Sequence, residues 1–170
     1  DLRRAELRGL ELEGIALRGV NLREADMKGV RLPRADLRGA DLRRTELERA
    51  DLSGADLTDA RLRGADLEKA TAREAVLIDA DMREIDLAEA DLTGAVMTEA
   101  DLRGGLLRRL TAPGVDLREA KMEGVDLERA VLDGARLDGA DLERADMDRV
   151  EATPAKAAAV ESASTEVARW

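Results

Sequence analysis

Ala50-Asp51-Leu52-Ser53-Gly54-Ala55-Asp56-Leu57-Thr58-Asp59-Ala60 holds two copies of a five-residue unit, and the same unit recurs in unbroken phase over the first 150 of 170 residues. Sorting those residues into five columns shows what each place requires. Of the thirty positions from Leu2 to Met147 in the Leu52 column, 23 are Leu, five are Met and two are Ala (Ala72, Ala112). Two places earlier, from Ala5 to Val150, stand 19 Ala, five Val, two Leu, two Ile, Thr45 and Gly105. Between these apolar columns lies Asp in 15 of 30 units, supported by Glu6, Glu11, Glu46 and Asn21. Thirteen of the fourteen glycines occupy the second place after the Leu column.

A period of five suits neither regular structure. On an α-helix it advances about 500° per unit, about 140° past a full turn, so the leucines would spiral and form no stripe. On a flat strand successive leucines would face opposite sides, although the Ala-x-Leu spacing inside one unit has the strand period of two. A short extended piece followed by a corner satisfies both facts. Ala and Leu then point inward together, Asp points outward between them, and the next two residues turn the chain. Gly at the second turn place fits the positive φ of a type II turn, and Pro33 and Pro113 sit one place earlier, where φ near −65° is favoured.

Ala-Asp-Leu-x-Gly units such as Ala35-Asp36-Leu37-Arg38-Gly39 resemble those of the pentapeptide repeat proteins over residues 1–150. The resemblance implies an all-β fold: a right-handed quadrilateral β-helix, a solenoid with four units per coil, the Leu and Ala columns inward and the other three outward. Thirty units make about seven and a half coils, or a rod roughly 36 Å long at the spacing between strands. Ala70 and Ala72, both small in one unit, predict a thin spot in the core unless neighbouring coils close in, whereas Leu110 and Ala112 exchange large for small within a unit. Residues 151–170 read as a separate C-terminal segment, a short capping helix or a disordered tail. Thr153-Pro154 supplies the helix start, and Val160, Val167 and Trp170 are candidate cap or dimer contacts. Asp1 already sits in phase with the repeat, so the natural chain is expected to extend upstream.

Composition excludes more functions than it suggests. The chain has no His and no Cys, which removes the commonest general base, thiolate chemistry and disulfides. The repeated Asp residues read as solvated outer positions rather than as paired acid and base. They lack the spacing of a calcium loop, and the glycines follow the turn column rather than a phosphate loop. No catalytic residue, metal or cofactor is expected. With no apolar run near the roughly 18 residues that span a bilayer, the chain reads as soluble and without a membrane partner, and a bacterial cytoplasmic protein is expected. A net charge of −10 argues against direct nucleic-acid binding.

Two surface features point to a protein partner. Residues 51–150 carry 14 Lys and Arg against 25 Asp and Glu, whereas residues 1–50 carry 12 against 10. The resemblance includes members that mimic duplex DNA and occupy type II topoisomerases, protecting them from quinolones, with a homodimer formed through the C-terminal ends. Under that reading DNA gyrase or topoisomerase IV would contact Asp51, Asp56, Asp59, Asp66, Asp79, Asp81, Asp86, Asp91 and Asp101. The absence of Phe and the many interspersed Arg residues weigh against it. The other feature is the outward trio Val76, Ile78 and Val96, which breaks the polar rule on one wall and suggests a partner contact. A non-enzymatic scaffold presenting a rigid charged surface is therefore the leading reading, and topoisomerase binding by DNA mimicry the alternative.

Overall fold

The computed structural model describes residues 1–152, and every unit in it does the same thing. Parallel bridges pair each outward residue before the Leu column with its equivalent twenty residues on, from Glu6↔Asp26 to Val131↔Glu151. Four units therefore bring the chain back above itself. The candidate contacts Val160, Val167 and Trp170, and the expected capping helix or tail, lie outside the described residues.

The backbone donors of one unit show why the arrangement closes. The Asp51 N–H reaches down to the Val30 carbonyl at 2.9 Å, while the Leu52 and Gly54 N–H groups reach up to the Thr71 and Arg73 carbonyls at 2.7 and 2.8 Å. The Ala55 N–H closes the turn on the Leu52 carbonyl at 2.9 Å. The fifth donor, Ser53 N–H, is satisfied by its own unit: Asp51 Oδ1 accepts it at 3.0 Å. No backbone donor of the unit is left over, as a stacked coil with little access to water requires.

The corner imposes a left-handed residue at the second turn place of all thirty units. Thirteen of these are Gly, but seventeen are charged residues such as Arg44, Asp59 and Glu74, with φ of 55–61°. A non-Gly residue in this region costs about 1–2 kcal/mol. Glycine is therefore the relaxed occupant of the column, and the ladder on both sides holds the other residues in place.

The core forms as the columns imply. All 27 residues of the Leu column from Leu17 to Met147 are buried, and so is the small column from Ala25 to Ala140. Thr45, in that small column, donates its hydroxyl to the Leu42 carbonyl at 2.6 Å. Ala70 and Ala72 are buried too, and the ladder passes them without drawing in: Leu52 N to Thr71 O is 2.7 Å and Ala72 N to Asp91 O is 2.8 Å. Gly105 answers a different demand. A Cβ there would stand 2.9 Å from both the Leu102 carbonyl oxygen and Leu107 Cδ1, and 3.4 Å from Ile85 Cγ2. The Leu102 carbonyl and the end of the Leu107 side chain take the space that an alanine at 105 would need, with Ile85, one coil away, in ordinary contact.

Among the described residues, the amino-terminal coil has a ladder partner on one side only. There Leu2 and Leu10 are 36% and 43% exposed, and Leu7, Leu12, Ile15 and Val20 are only partly covered.

Replacing Leu92 with Ala should cost about 2–5 kcal/mol, and the same change at Arg63 less than about 0.5, in urea unfolding of the two variants. Equal losses would refute the inward assignment. Gly105→Ala should destabilise by about 1–3 kcal/mol through overpacking. Its loss should be smaller in a Leu107→Ala background than in the parent.

Candidate functional site

The surface is built from the three outward columns, and the Asp column is more than a solvated outer wall. All fifteen of its aspartates accept the backbone N–H two residues on, at 2.9–3.5 Å, and Asn21 does the same for Arg23 at 3.2 Å. Glu6, Glu11 and Glu46 occupy the same place and make no such bond among the described residues. One extra methylene moves the carboxylate past the donor. The two prolines of the repeat fit the same accounting, since Pro33 and Pro113 have no N–H to satisfy and stand in units whose outer residue is Arg31 or Thr111. Reading these aspartates as merely solvated missed this role, although their preference over Glu was the available signal.

Where Arg completes an Asp-Leu-Arg or Asp-Met-Arg run, its guanidinium folds back on the same carboxylate. Arg38, Arg43, Arg83, Arg103 and Arg118 each place Nε 2.7–2.8 Å from Oδ1 of Asp36, Asp41, Asp81, Asp101 and Asp116. Nη2 bonds the second oxygen of each, so the contact is bidentate and charge-assisted. Hydrogen bonding to Arg38 holds the Asp36 carboxyl at about 2, and the other four carboxyls also lie below their ordinary value. Asp66 goes the other way: burial, then the neighbouring Glu48 and Asp86, raise it.

The structure brings Val76, Ile78 and Val96 together. Val76 and Val96 are ladder partners one coil apart, Ile78 lies on the same wall, and all three are half-buried. Thr58 and Thr98 stand one coil either side of Ile78, and the Thr58 hydroxyl is turned onto Asp56 Oδ1 at 2.7 Å. The strip is thus five β-branched residues. A twenty-residue alignment of the units would have added the two threonines. Below it Asp56 pairs with Val76, and above it Asp116, held by Arg118 and Arg136, pairs with Val96. Leu106, on another wall, is the most exposed large apolar side chain described, at 46%.

The nine candidate acidic residues do not form one surface. Asp81 and Asp101 lie on the wall of Leu42, Asp66 and Asp86 on that of Leu47, Asp51 and Asp91 on that of Leu52, and Asp56, Asp59 and Asp79 on that of Leu57. Five of them are within 4 Å of an arginine: Asp51, Asp56, Asp81, Asp91 and Asp101. Asp59, Asp66, Asp79 and Asp86 make no ion pair among the described residues.

Recesses among the described residues include one of about 400 Å³ between Arg3, Arg4, Arg23 and Glu24, and one of about 250 Å³ between Ala88, Glu89, Arg108, Arg109 and Glu128. Neither contains a nucleophile beside a base. Among the described residues no cluster of three or more acidic side chains is placed to hold a metal ion, and no helix is long and apolar enough to cross a membrane.

Five-residue units, four to a coil and stacked by parallel bridges, define a repeat solenoid. Its sequence matches the family profile for pentapeptide repeats in eight copies, over residues 1–39, 35–71, 73–109 and 114–149. The chain belongs to the pentapeptide repeat family, whose members are right-handed quadrilateral β-helices. Comparison with curated proteins gives no match. Among solved structures, HetL, a protein involved in heterocyst differentiation regulation in the cyanobacterium Nostoc sp. strain PCC 7120, is 26% identical, with 84% of this chain and 89% of that one covered and a TM-score of 0.41. A trypsin-treated form of QnrB1, a plasmid-mediated fluoroquinolone resistance protein, is 16% identical over 95% of this chain and 99% of that one, with a TM-score of 0.47. A thylakoid-lumen protein of Arabidopsis thaliana is 25% identical over 95% and 81%, with a TM-score of 0.25.

The Asp cap predicts a graded series. Asp51→Ala should destabilise by about 0.5–1.5 kcal/mol, Asp51→Glu by a similar amount, and Asp51→Asn by less, all read from urea midpoints. The Asp–Arg forks predict acid sensitivity. Their carboxyls lie lower in the folded chain than the unfolded value of about 3.9, so their contribution is complete above about pH 4 and is lost as pH falls towards about 2. Thermal unfolding of Asp36→Asn should depend less steeply on pH across that window than unfolding of the parent.

Proposed function

We propose that this chain is a non-enzymatic scaffold, a rigid rod of about seven and a half coils that acts in the bacterial cytoplasm by binding another protein. The observation that carries this reading is the strip Thr58, Val76, Ile78, Val96 and Thr98. Contiguous β-branched side chains on an otherwise charged wall offer a partner apolar area without a change of shape, and the ladder that holds them leaves little conformational entropy to lose on binding. The missing catalytic types support the same class, because a chain without His or Cys, whose aspartates are engaged in turns and arginine forks, has no poised acid, base or nucleophile.

A second reading, binding to DNA gyrase or topoisomerase IV as a DNA mimic, is favoured by the excess of acid downstream of residue 50 and by the four aspartates without ion pairs. The arginine forks oppose it, since they neutralise the carboxylates that would stand in for phosphates.

Val76→Asp with Val96→Asp should abolish capture of the native partner from a lysate while leaving the unfolding midpoint within about 0.5 kcal/mol of the parent's; undiminished capture would remove the strip from the function. Inhibition of gyrase supercoiling by micromolar rod, weakened by added salt, would establish the second reading in its place.

A further inference from the structure

One wall of the rod carries an arginine ladder. On the Leu42 wall, the place after the Leu column is Arg3, Arg23, Arg43, Arg63, Arg83 and Arg103 in six successive coils. Four of these are folded onto their own Asp, and Arg63 is taken by Glu84 at 2.7 Å. Arg23 is not, and neither are Arg44 and Arg61 on the same wall: none of the three forms an ion pair with a described residue. Between residues 21 and 64 this wall holds five arginines against Glu24 and Asp41. Arg44, Arg61 and Arg63 are exposed.

The adjacent Leu47 wall carries the opposite charge. From residue 46 to 89, Glu46, Glu48, Asp66, Glu68, Asp86 and Glu89 stand there against Arg49 and Lys69, and Lys28, one coil below, pairs with Glu46 and Glu48. Asp66 and Asp86 are bridge partners one coil apart, and neither forms an ion pair with a described residue. Burial raises the Asp66 carboxyl first, and the neighbouring Glu48 and Asp86 raise it further.

We propose that a second copy of this chain docks its Leu47 wall on the Leu42 wall, setting Asp66 and Asp86 against Arg44 and Arg61. Matching periods favour this occupant. Both ladders repeat once per coil, about 4.8 Å, so several pairs come into register together, whereas side chains along a single extended peptide recur on one face only every 6–7 Å or so. The two walls face different directions, so one copy does not satisfy its own charges and the contact is heterologous. Walls about a right angle apart allow such contacts to close as a ring of four. The interface is electrostatic and rests on exposed pairs, so it is weak and salt-sensitive.

Sedimentation velocity of the full chain tests this at ionic strengths of about 0.01 M and about 1 M, where the screening length falls from about 30 Å to about 3 Å. The expected result is a mass above one chain at low salt that returns to one chain at high salt. Arg44→Glu with Arg61→Glu should remain a single chain, as should Asp66→Lys with Asp86→Lys, and mixing the two variants should restore the larger species. Circular dichroism of each variant checks that the fold is intact. A single-chain mass at every salt concentration overturns the proposal, as does association that survives both swaps and so runs through another surface, such as the open Leu2 and Leu10 end. Arginine-dependent retention on heparin by a protein that stays monomeric would assign the wall to a foreign polyanion and would equally overturn it.

Discussion

The structure depends on the backbone ladder between coils. Three of the five N–H groups in the Ala50 unit bond the coil above or below, and the turn uses a fourth. Because each coil must return to the same height after twenty residues, every corner has to be identical. That requirement explains the left-handed residue in all thirty units, seventeen of them charged side chains that do not favour the conformation. It also explains the inward columns, since a fixed corner gives each coil the same interior cross-section. Gly105, against the Leu102 carbonyl and Leu107 Cδ1, shows how little room that cross-section leaves.

The same ladder creates an electrostatic problem that the outward residues answer locally. Identical columns place like charges one coil apart, as at Asp36↔Asp56, Asp66↔Asp86 and Asp81↔Asp101. The aspartates offset this first by accepting a backbone N–H and then, in units of the Asp-Leu-Arg type, by pairing with the arginine two residues on. Arginines reach between coils as well: Arg136 bonds Asp116 at 3.3 Å, and Arg38 lies 3.6 Å from Asp56. A chain with 39% charged residues is thus compatible with a continuous aliphatic core, because its charges stand on the outside and many of them are held in short-range pairs.

Much of this was legible in the columns. The inward faces, the turn and the place of the prolines follow from residue type at fixed spacing, and the buried Leu and Ala columns agree with them. The purpose of the Asp column was not legible, because its carboxylate serves a donor two residues away that only the folded turn orients. The Val76 strip was visible as three residues and became five once Thr58 and Thr98 fell into the same stack. The acidic set from Asp51 to Asp101 looked like one feature along the chain and was divided among four walls by the turns.

By itself the sequence determined the repeat, its phase, its aliphatic interior and the turn at each corner, because each is a local preference copied thirty times. Only the tertiary structure decided which outward side chains are neighbours and which charges remain unpaired. Neighbours on a wall are twenty residues apart, and the reach of each guanidinium determines whether a carboxylate such as Asp41 is neutralised or one such as Asp66 is left open.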